Sequence, residues 1–179
     1  MPIFNDKEYI KIDLPSQSTW NDANNAAINL GGQLVSINTQ EELQFITNNF
    51  RDNRIFVGAN DIQIEGNWQW NDGSEPGILH NDWYWAYGEP NGGTSKRRGR
   101  GGRGRITIAD SDGAYLNLQE VYNDDIYFSE NFNKNTVYGK FFDVPLNSSY
   151  VEMIGIAEIP IVTNQAPSIT SSLTASAID

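Results

Sequence analysis

The sequence contains no cysteine among its 179 residues. Disulfide bonds, thiolate metal sites and thiol nucleophiles are therefore excluded together. There is one histidine, His80, which leaves little room for a histidine-based zinc site or a serine–histidine–aspartate triad. The carboxylates form no evident acid–base pair, and no nucleophile stands beside a base. We therefore predict a binding protein rather than an enzyme.

Long hydrophobic runs are also missing. No apolar stretch approaches the ~20 residues that a membrane-spanning helix needs. The first six residues have neither the basic region nor the apolar region of a cleavable signal peptide. With a mean hydropathy of -0.50, we expect a polar, soluble domain without a membrane span.

Positive charge is scarce and concentrated. The chain carries a net charge of -11, yet residues 96–105 hold six of its twelve basic residues and no acidic ones. The rest of the chain therefore has a net charge of -17, because this stretch contributes +6 to the total. An acidic body suits hard cations such as calcium and argues against nucleic acid as a partner.

The first third of the chain predicts one strand and two helices. Residues 8–14 alternate between apolar and polar and end at a proline, as a strand does. Residues 18–19 can cap a helix that ends at the glycine pair 31–32. Residues 39–42 form a capping box for a second helix.

Short strands follow the helices, and their separation from the helices predicts an α+β fold. The strands are predicted at residues 55–59, 66–70, 114–118, 137–144 and 150–161. Between them, residues 71–135 are poor in regular patterns, which a compact domain tolerates mainly when the region is functional. We place the domain at residues 1–163 and assign 164–179 to a linker or to the start of a following repeat domain.

Aromatic residues are concentrated in one stretch, residues 68–91, which contains four of the five tryptophans. So many large rings must pack on something, and a loop held by its own anchors can position binding groups. Stacking on a ligand is one role for Trp83, Trp85 and Tyr87, and anchoring the loop is the other.

Several motifs, in order, are similar to those of one family. Residues 19–23 with 30–37 resemble a first-helix signature, and residues 56–61 and 66–74 resemble two central strands. Residues 89–91 read Glu-Pro-Asn, and residues 139–145 read Gly-Lys-Phe-Phe-Asp-Val-Pro. Together these motifs resemble the C-type lectin-like domain.

The resemblance implies two helices flanking two small antiparallel sheets, with a long loop that carries a calcium site. By this likeness Glu89, Asn91 and Asp143 are the expected calcium ligands, and Asp112 or Asp124 completes the set. Glu89 and Asn91 can face a single ion if the Glu89–Pro90 bond is cis. The Glu-Pro-Asn tripeptide is typical of sites for mannose-, glucose- and fucose-type hydroxyls. We therefore expect a calcium-assisted carbohydrate-binding module.

Two departures weaken that expectation. The family's closing motif has asparagine where this chain has Phe142, and a further family glutamate falls near Gly113, where only Asp112 stands close. Each missing oxygen lowers the charge and rigidity that tune calcium affinity. A calcium-independent lectin-like domain for protein interaction or adhesion is therefore the alternative.

Two further segments depart from the family pattern. The Arg/Gly-rich loop at residues 96–105 can be an inert surface insertion, an arm that attracts acidic polysaccharide, or a nucleic-acid-binding segment. The tail from Asn164 resembles junctions between repeats in large exported bacterial proteins. It implies a secreted or cell-surface location, with glycoconjugates or proteins as partners.

Overall fold

The structure, a computed structural model, describes residues 1–51, 53–86, 88–90, 112–118 and 138–162. Within these residues there are two helices, α1 (Trp20–Asn29) and α2 (Gln40–Asn49). The strands are β1 (Ile3–Phe4), β2 (Lys7–Asp13), β3 (Gln33–Leu34), β4 (Arg54–Asn60), β5 (Gln69–Trp70), β6 (Gly113–Asn117), β7 (Lys140–Val144) and β8 (Met153–Pro160).

Helix α1 begins where the sequence predicts. The Thr19 side chain accepts a hydrogen bond from the Asp22 N–H, and the Asp22 carboxylate accepts one from the Thr19 N–H, which completes a capping box. Trp20, Ala23 and Ala27 are buried along one face of the helix. Gly31, with a φ of 83°, follows its last residues in a conformation that glycine adopts without steric cost.

Helix α2 departs from the predicted capping box. The Thr39 side chain accepts a hydrogen bond from the Glu42 N–H, as expected. The Glu42 carboxylate, however, accepts from the Tyr9 hydroxyl at 2.6 Å and from the Asn38 N–H at 2.9 Å. Glu42 therefore ties the start of α2 to β2 and to the residues before the helix.

The described strands are hydrogen-bonded into a single mixed sheet, in the order β1-β2-β8-β4-β6-β7. Strand β2 pairs with β8 in antiparallel register from Lys7 opposite Pro160 to Asp13 opposite Ile154. Strand β4 pairs with β8 in parallel register, and this pairing joins the two halves of the sheet. The α+β class is confirmed, whereas the expected division into two small antiparallel sheets is corrected by this parallel junction.

The core is continuous with the loop that follows β5. Two short 3-10 turns, Gly77–His80 and Asp82–Tyr84, lie in this loop. The Trp70 indole N–H donates to the Pro76 carbonyl at 3.2 Å, and the Trp85 indole N–H donates to the Leu79 carbonyl at 2.8 Å. The Trp85 ring also meets Trp68 edge-on, with ring centroids 4.8 Å apart. These contacts fix the loop against the core.

Neither of the two helices in the described ranges is long and apolar enough to cross a membrane.

Candidate functional site

The loop that carries Glu89 is attached to the edge strand β7. The Ala86 N–H donates to the Phe141 carbonyl at 2.9 Å, and Trp85 forms an isolated parallel bridge with Phe141. The Glu89 N–H donates back to the Ala86 carbonyl at 3.0 Å, so the chain turns at once and brings Glu89 beside the strand. The Glu89–Pro90 peptide bond is cis.

Phe142 and Asp143 lie next to this attachment point, within β7. In the ladder between β6 and β7, Phe142 stands opposite Tyr115 and Asp143 stands opposite Ala114. The rings of Phe142 and Tyr115 are parallel within 6°, with centroids 5.0 Å apart. Phe142 is 7% exposed and also contacts Ala86. Where the family resemblance places an amide oxygen, this chain has a buried phenyl ring.

The two carboxylates act on the same pair of phenols. Burial raises the pKa of Tyr115 to about 12; the charge of Arg54 opposes the rise, and Tyr150, Glu89 and Asp143 add to it. Burial also raises the pKa of Tyr150, and the charges of Asp143 and Glu89 raise it further. The charges of Glu89 and Asp143 therefore act on both phenols. Both phenols keep their protons at neutral pH and can donate hydrogen bonds.

Asp112 lies at the start of β6, where its carbonyl accepts a hydrogen bond from the Asp61 N–H at 3.1 Å. The structure thus places it next to the end of β4. Asn91 and Asp124 lie outside the described residues, and so do Tyr87 and the basic loop.

Trp85 is not a stacking surface for a ligand in this structure. It is 4% exposed, its indole N–H is bonded to Leu79, and its ring packs against Trp68 and Phe141. The expectation that Trp85 contacts a sugar is therefore corrected, and its role as an anchor of the loop is the one observed. The backbone of Trp83 lies in the second 3-10 turn, and its side chain is outside what the structure describes.

The described residues do not by themselves fit a calcium ion. Calcium takes about six to eight oxygen ligands. In the ranges that the structure describes, no group of three histidine, aspartate or glutamate side chains is placed to hold a metal. Glu89 and Asp143 supply carboxylates here, whereas Phe142 supplies carbon only. Any calcium site in this loop would need further oxygens, which the family resemblance expects from Asn91 and from Asp112 or Asp124.

No sequence motif singles out Tyr115 or Tyr150. Tyr115 is one apolar residue in a short strand, and Tyr150 precedes another strand, so neither carries a motif. The position of Tyr115 is set by strand register, which places it opposite Phe142. The position of Tyr150 is set by an isolated β-bridge with Ser18.

Comparison with known proteins finds similarity over part of the chain. Residues 16–98 match the model of the lectin C-type domain. The chain is 42% identical over 80 residues to the CD209 antigen of Symphalangus syndactylus, and the match covers 42% of this chain and 20% of that protein. The chain thus spans one fifth of this relative's length. This relative is an animal protein, so it lends no support to the bacterial origin suggested by the tail.

Two solved structures have similar folds. The cow C-type carbohydrate-recognition domain of CD23, solved in the presence of a GlcNAc2Man3 oligosaccharide, has a TM-score of 0.59 and 22% identity, covering 89% of this chain and 92% of that one. A calcium-independent type II antifreeze protein has a TM-score of 0.55 and 18% identity, covering 88% and 92%. The fold thus occurs in a protein that does not depend on calcium. The present chain has the C-type lectin fold, and its residues 16–98 match the model of the lectin C-type domain.

Proposed function

We propose that this chain is a carbohydrate-binding domain whose ligand site lies around Glu89 and Asp143. The observation that carries the proposal is that the loop of Glu89 is hydrogen-bonded to β7, the strand that contains Asp143, through the Ala86 N–H and the Phe141 carbonyl. Carboxylates accept hydrogen bonds from sugar hydroxyls, and neutral phenols donate to sugar oxygens. The lectin C-type match and the fold shared with a carbohydrate-recognition domain support it. The domain binds its ligand and does not transform it.

The more specific form of this proposal is that a calcium ion assists carbohydrate binding. In that form Glu89, Asn91 and Asp143 hold the ion, and Asp112 or Asp124 completes the oxygen set. Bound calcium would supply a positive charge that attracts pairs of mannose-, glucose- or fucose-type hydroxyls. Because the Phe142 side chain contributes no oxygen, this form depends on Asn91 and on Asp112 or Asp124 to complete the oxygen set.

Glycan binding with and without EDTA tests both forms. A mannose-, glucose- and fucose-bearing glycan set is applied to the wild type and to Glu89→Ala, and calcium binding is titrated by calorimetry. Calcium-assisted recognition predicts a measurable calcium isotherm, together with binding that EDTA abolishes. Glycan binding that is unchanged by EDTA would contradict calcium-assisted recognition. Glycan binding that is also unchanged by Glu89→Ala would contradict the assignment of the site to Glu89 and Asp143. Absence of binding to any sugar contradicts the proposed function.

A calcium-independent interaction or adhesion domain is the second candidate, and Phe142 favours it. Its ring fills the place of a ligand oxygen and is packed between Tyr115 and Ala86. This candidate predicts that calcium leaves the melting temperature unchanged, and that a protein partner contacts the loop around Trp83 and Tyr87. Crosslinking from an introduced photoreactive residue at position 83 would identify such a partner, and a calcium-dependent glycan complex would contradict this candidate.

We also propose that the domain acts outside the cell, on a secreted or cell-surface protein. The resemblance of the tail after Asn164 to repeat junctions supports a multidomain setting. Antibody labelling of intact cells that produce the full-length protein tests the location, and protection of the domain from external protease would contradict it.

A further inference from the structure

The sheet has an edge at β2, and part of this edge carries no further strand. Strand β1 pairs with β2 only at Lys7 and Glu8, and one more hydrogen bond joins the Tyr9 N–H to the Pro2 carbonyl at 3.0 Å. Beyond that bond, no strand among the described residues pairs with the outer side of β2. We call residues 11–13 the open edge.

Backbone groups along β2 point alternately towards β8 and away from it. The Ile161 N–H donates to the Asp6 carbonyl at 2.8 Å, and the antiparallel ladder keeps this register as far as Asp13. In such a ladder, each residue that bonds to one neighbouring strand is followed by a residue whose N–H and C=O point to the other side. Even-numbered residues of β2 therefore bond to β8, and Lys11 and Asp13 direct their N–H and C=O groups outwards. These groups form a template for another strand.

The side chains of the open edge differ between its two faces. Ile12 is partly buried, together with Ile10 and Leu14, against the part of the core that α1 covers. Lys11 and Asp13 lie on the opposite face, where they are exposed and form an ion pair at 2.7 Å. A strand added here therefore meets an apolar residue between two charges of opposite sign.

A second copy of the same edge complements this pattern in one register. Antiparallel pairing requires outward-facing residues of the two strands to stand opposite each other. If Lys11 stood opposite Lys11 of the second copy, like charges would meet, which destabilises a sheet. A shift by two residues instead sets each Lys11 opposite Asp13 of the other copy, and Ile12 opposite Ile12 on the two-fold axis. Charged and apolar residues are then matched at all three positions.

We propose that the open edge is a self-association surface, on which a second copy of this domain adds its β2 in antiparallel orientation. Each of the two Lys11–Asp13 pairs exchanges two backbone hydrogen bonds, and the side chains of these pairs carry opposite charges. Ile12 meets Ile12 of the second copy on the face that α1 covers. The inference goes beyond the proposed function, because it does not depend on what the Glu89 loop binds.

The pairing surface is short and lies across the sheet from the proposed ligand site. Pro2 already occupies the outer side of Tyr9, and Pro15 has no N–H to donate, so only residues 11–13 of each copy can pair. We therefore expect a weak dimer, with a Kd on the order of 100 μM. Strand β7, to which the Glu89 loop is attached, lies at the opposite end of the strand order. The joined sheet therefore carries one Glu89 loop at each end, so that two weak ligand contacts can act together.

Charge reversal tests the surface and its register together. Lys11→Asp and Asp13→Lys each set like charges opposite one another, so either variant alone should self-associate about tenfold more weakly than the wild type in sedimentation equilibrium. An equimolar mixture of the two variants restores opposite charges in both pairs and should recover the association of the wild type. Recovery in the mixture also shows that both variants are folded. Arg51→Asp is the control, because it makes the same change of charge at an exposed residue after α2, and it should associate as the wild type does.

A disulfide crosslink tests the contact on the two-fold axis independently. The chain has no cysteine, so Ile12→Cys introduces a single thiol. In the proposed register the two thiols belong to a non-hydrogen-bonded pair, whose Cα atoms lie about 4.5 Å apart, a distance that a disulfide spans. Mild oxidation should therefore yield a disulfide-linked dimer. Ile62→Cys is the control, at a residue that is 54% exposed in the loop after β4, and it should crosslink far more slowly because only random collisions bring its thiols together.

Each outcome supports or overturns the proposal. A wild type that keeps its monomer mass of 20.1 kDa up to about 1 mM overturns it, and assigns the Lys11–Asp13 ion pair to protecting the edge from other strands. Association that persists in both charge variants, or that Arg51→Asp weakens equally, overturns the assigned surface. A mixture that remains as weakly associated as its components, or equal crosslinking of Ile12→Cys and Ile62→Cys, overturns the register. None of these measurements involves a sugar, so the proposed function is tested separately.

Discussion

Two pairs of carboxylates in this molecule have opposite surroundings. Glu42 and Glu158 are buried, and the four carboxylate oxygens all accept hydrogen bonds: Glu42 from Tyr9 and Asn38, and Glu158 from Lys7, Gln33 and Ser36. Glu89 and Asp143 are partly exposed, and their charges act on Tyr115. The first pair holds β2, β3, β8 and α2 together, and the second lies in a loop and an edge strand.

The difference shows how the same chemical group serves structure or binding. A buried carboxylate is tolerated only when donors surround it, so its geometry serves the fold. A partly exposed carboxylate can be reached by a hydroxyl group of a ligand. We therefore expect substitutions in the first pair to change stability, and substitutions in the second pair to change binding.

Truncation of Glu158 should have the largest effect. Glu158→Ala leaves Lys7, Gln33 and the Ser36 N–H without their acceptor, and breaking a buried ion pair in this way costs about 3 kcal/mol of unfolding free energy. Urea unfolding measures the loss. Glu152→Ala is the control, because Glu152 is exposed and 3.9 Å from Arg54, and it should cost no more than about 0.5 kcal/mol. Equal effects would remove the distinction between buried and exposed carboxylates.

The second-largest effect is expected for Phe142→Asn, which should change both the stability of the domain and its response to calcium. Loss of the buried ring and of its stack on Tyr115 should lower the unfolding free energy by about 2 kcal/mol. The new amide oxygen beside Asp143 adds a calcium ligand, so calcium should raise the melting temperature of this variant more than that of the wild type. Phe142→Leu, which adds no oxygen, is the matched control. An equal response to calcium in both variants would show that position 142 is not at the metal-binding place.

The pH dependence of stability should be a smaller effect. Burial raises the pKa of Glu158, although the hydrogen bond and charge of Lys7 and the Ser36 N–H oppose the rise. The folded protein therefore binds the proton more tightly than the unfolded chain. The stabilising contribution is fully present below the unfolded pKa, near 4.5, and is lost as the pH rises through the folded pKa.

The unfolding free energy of the wild type relative to Glu158→Gln should thus fall as the pH rises from 4 to 7. Glutamine keeps the shape of the side chain and cannot titrate. Chemical unfolding at a series of pH values checks the expectation. A difference that grows with pH would instead show that the ion pair with Lys7 outweighs the cost of burial.

The smallest effect on stability is expected for substitutions of Glu89 and Asp143. Glu89→Gln and Asp143→Asn should change the unfolding free energy by no more than about 0.5 kcal/mol each, because both side chains are partly exposed. Both should nevertheless weaken glycan binding. Destabilisation comparable to that of Glu158→Ala, with glycan affinity retained, would assign Glu89 and Asp143 to the fold rather than to the site.

Local patterns predicted the elements well. The cap at Thr19 and the alternation of residues 8–14 correspond to α1 and β2 within one or two residues. The physical reason is that caps and side-chain period depend on residues close in sequence. The parallel pairing of β4 with β8 was not predicted, because it joins residues about a hundred positions apart and leaves no local pattern.

The site was predictable only in part, for the same reason. The resemblance to the lectin motifs brought Glu89 and Asp143 to attention, and their shared effect on Tyr115 is consistent with a common site. The prediction that Trp85 stacks on a ligand was wrong. The amino-acid composition shows that a large aromatic ring is present, but it does not show whether other residues cover that ring. The partnership of Phe142 with Tyr115 follows from strand register, which the sequence does not state.

The ladder between β2 and β8 also determines how the domain responds to tension. Its outermost contacts lie together, with Lys7 opposite Pro160 and the Ile161 N–H bonded to the Asp6 carbonyl at 2.8 Å. A pulling force applied at Asp6 and Ile161 loads this first rung alone, and the rungs then open in succession towards Asp13. Such peeling requires less force than shearing all rungs at once, so in a tether under load β2 and β8 would separate before the loop that carries Glu89 is disturbed.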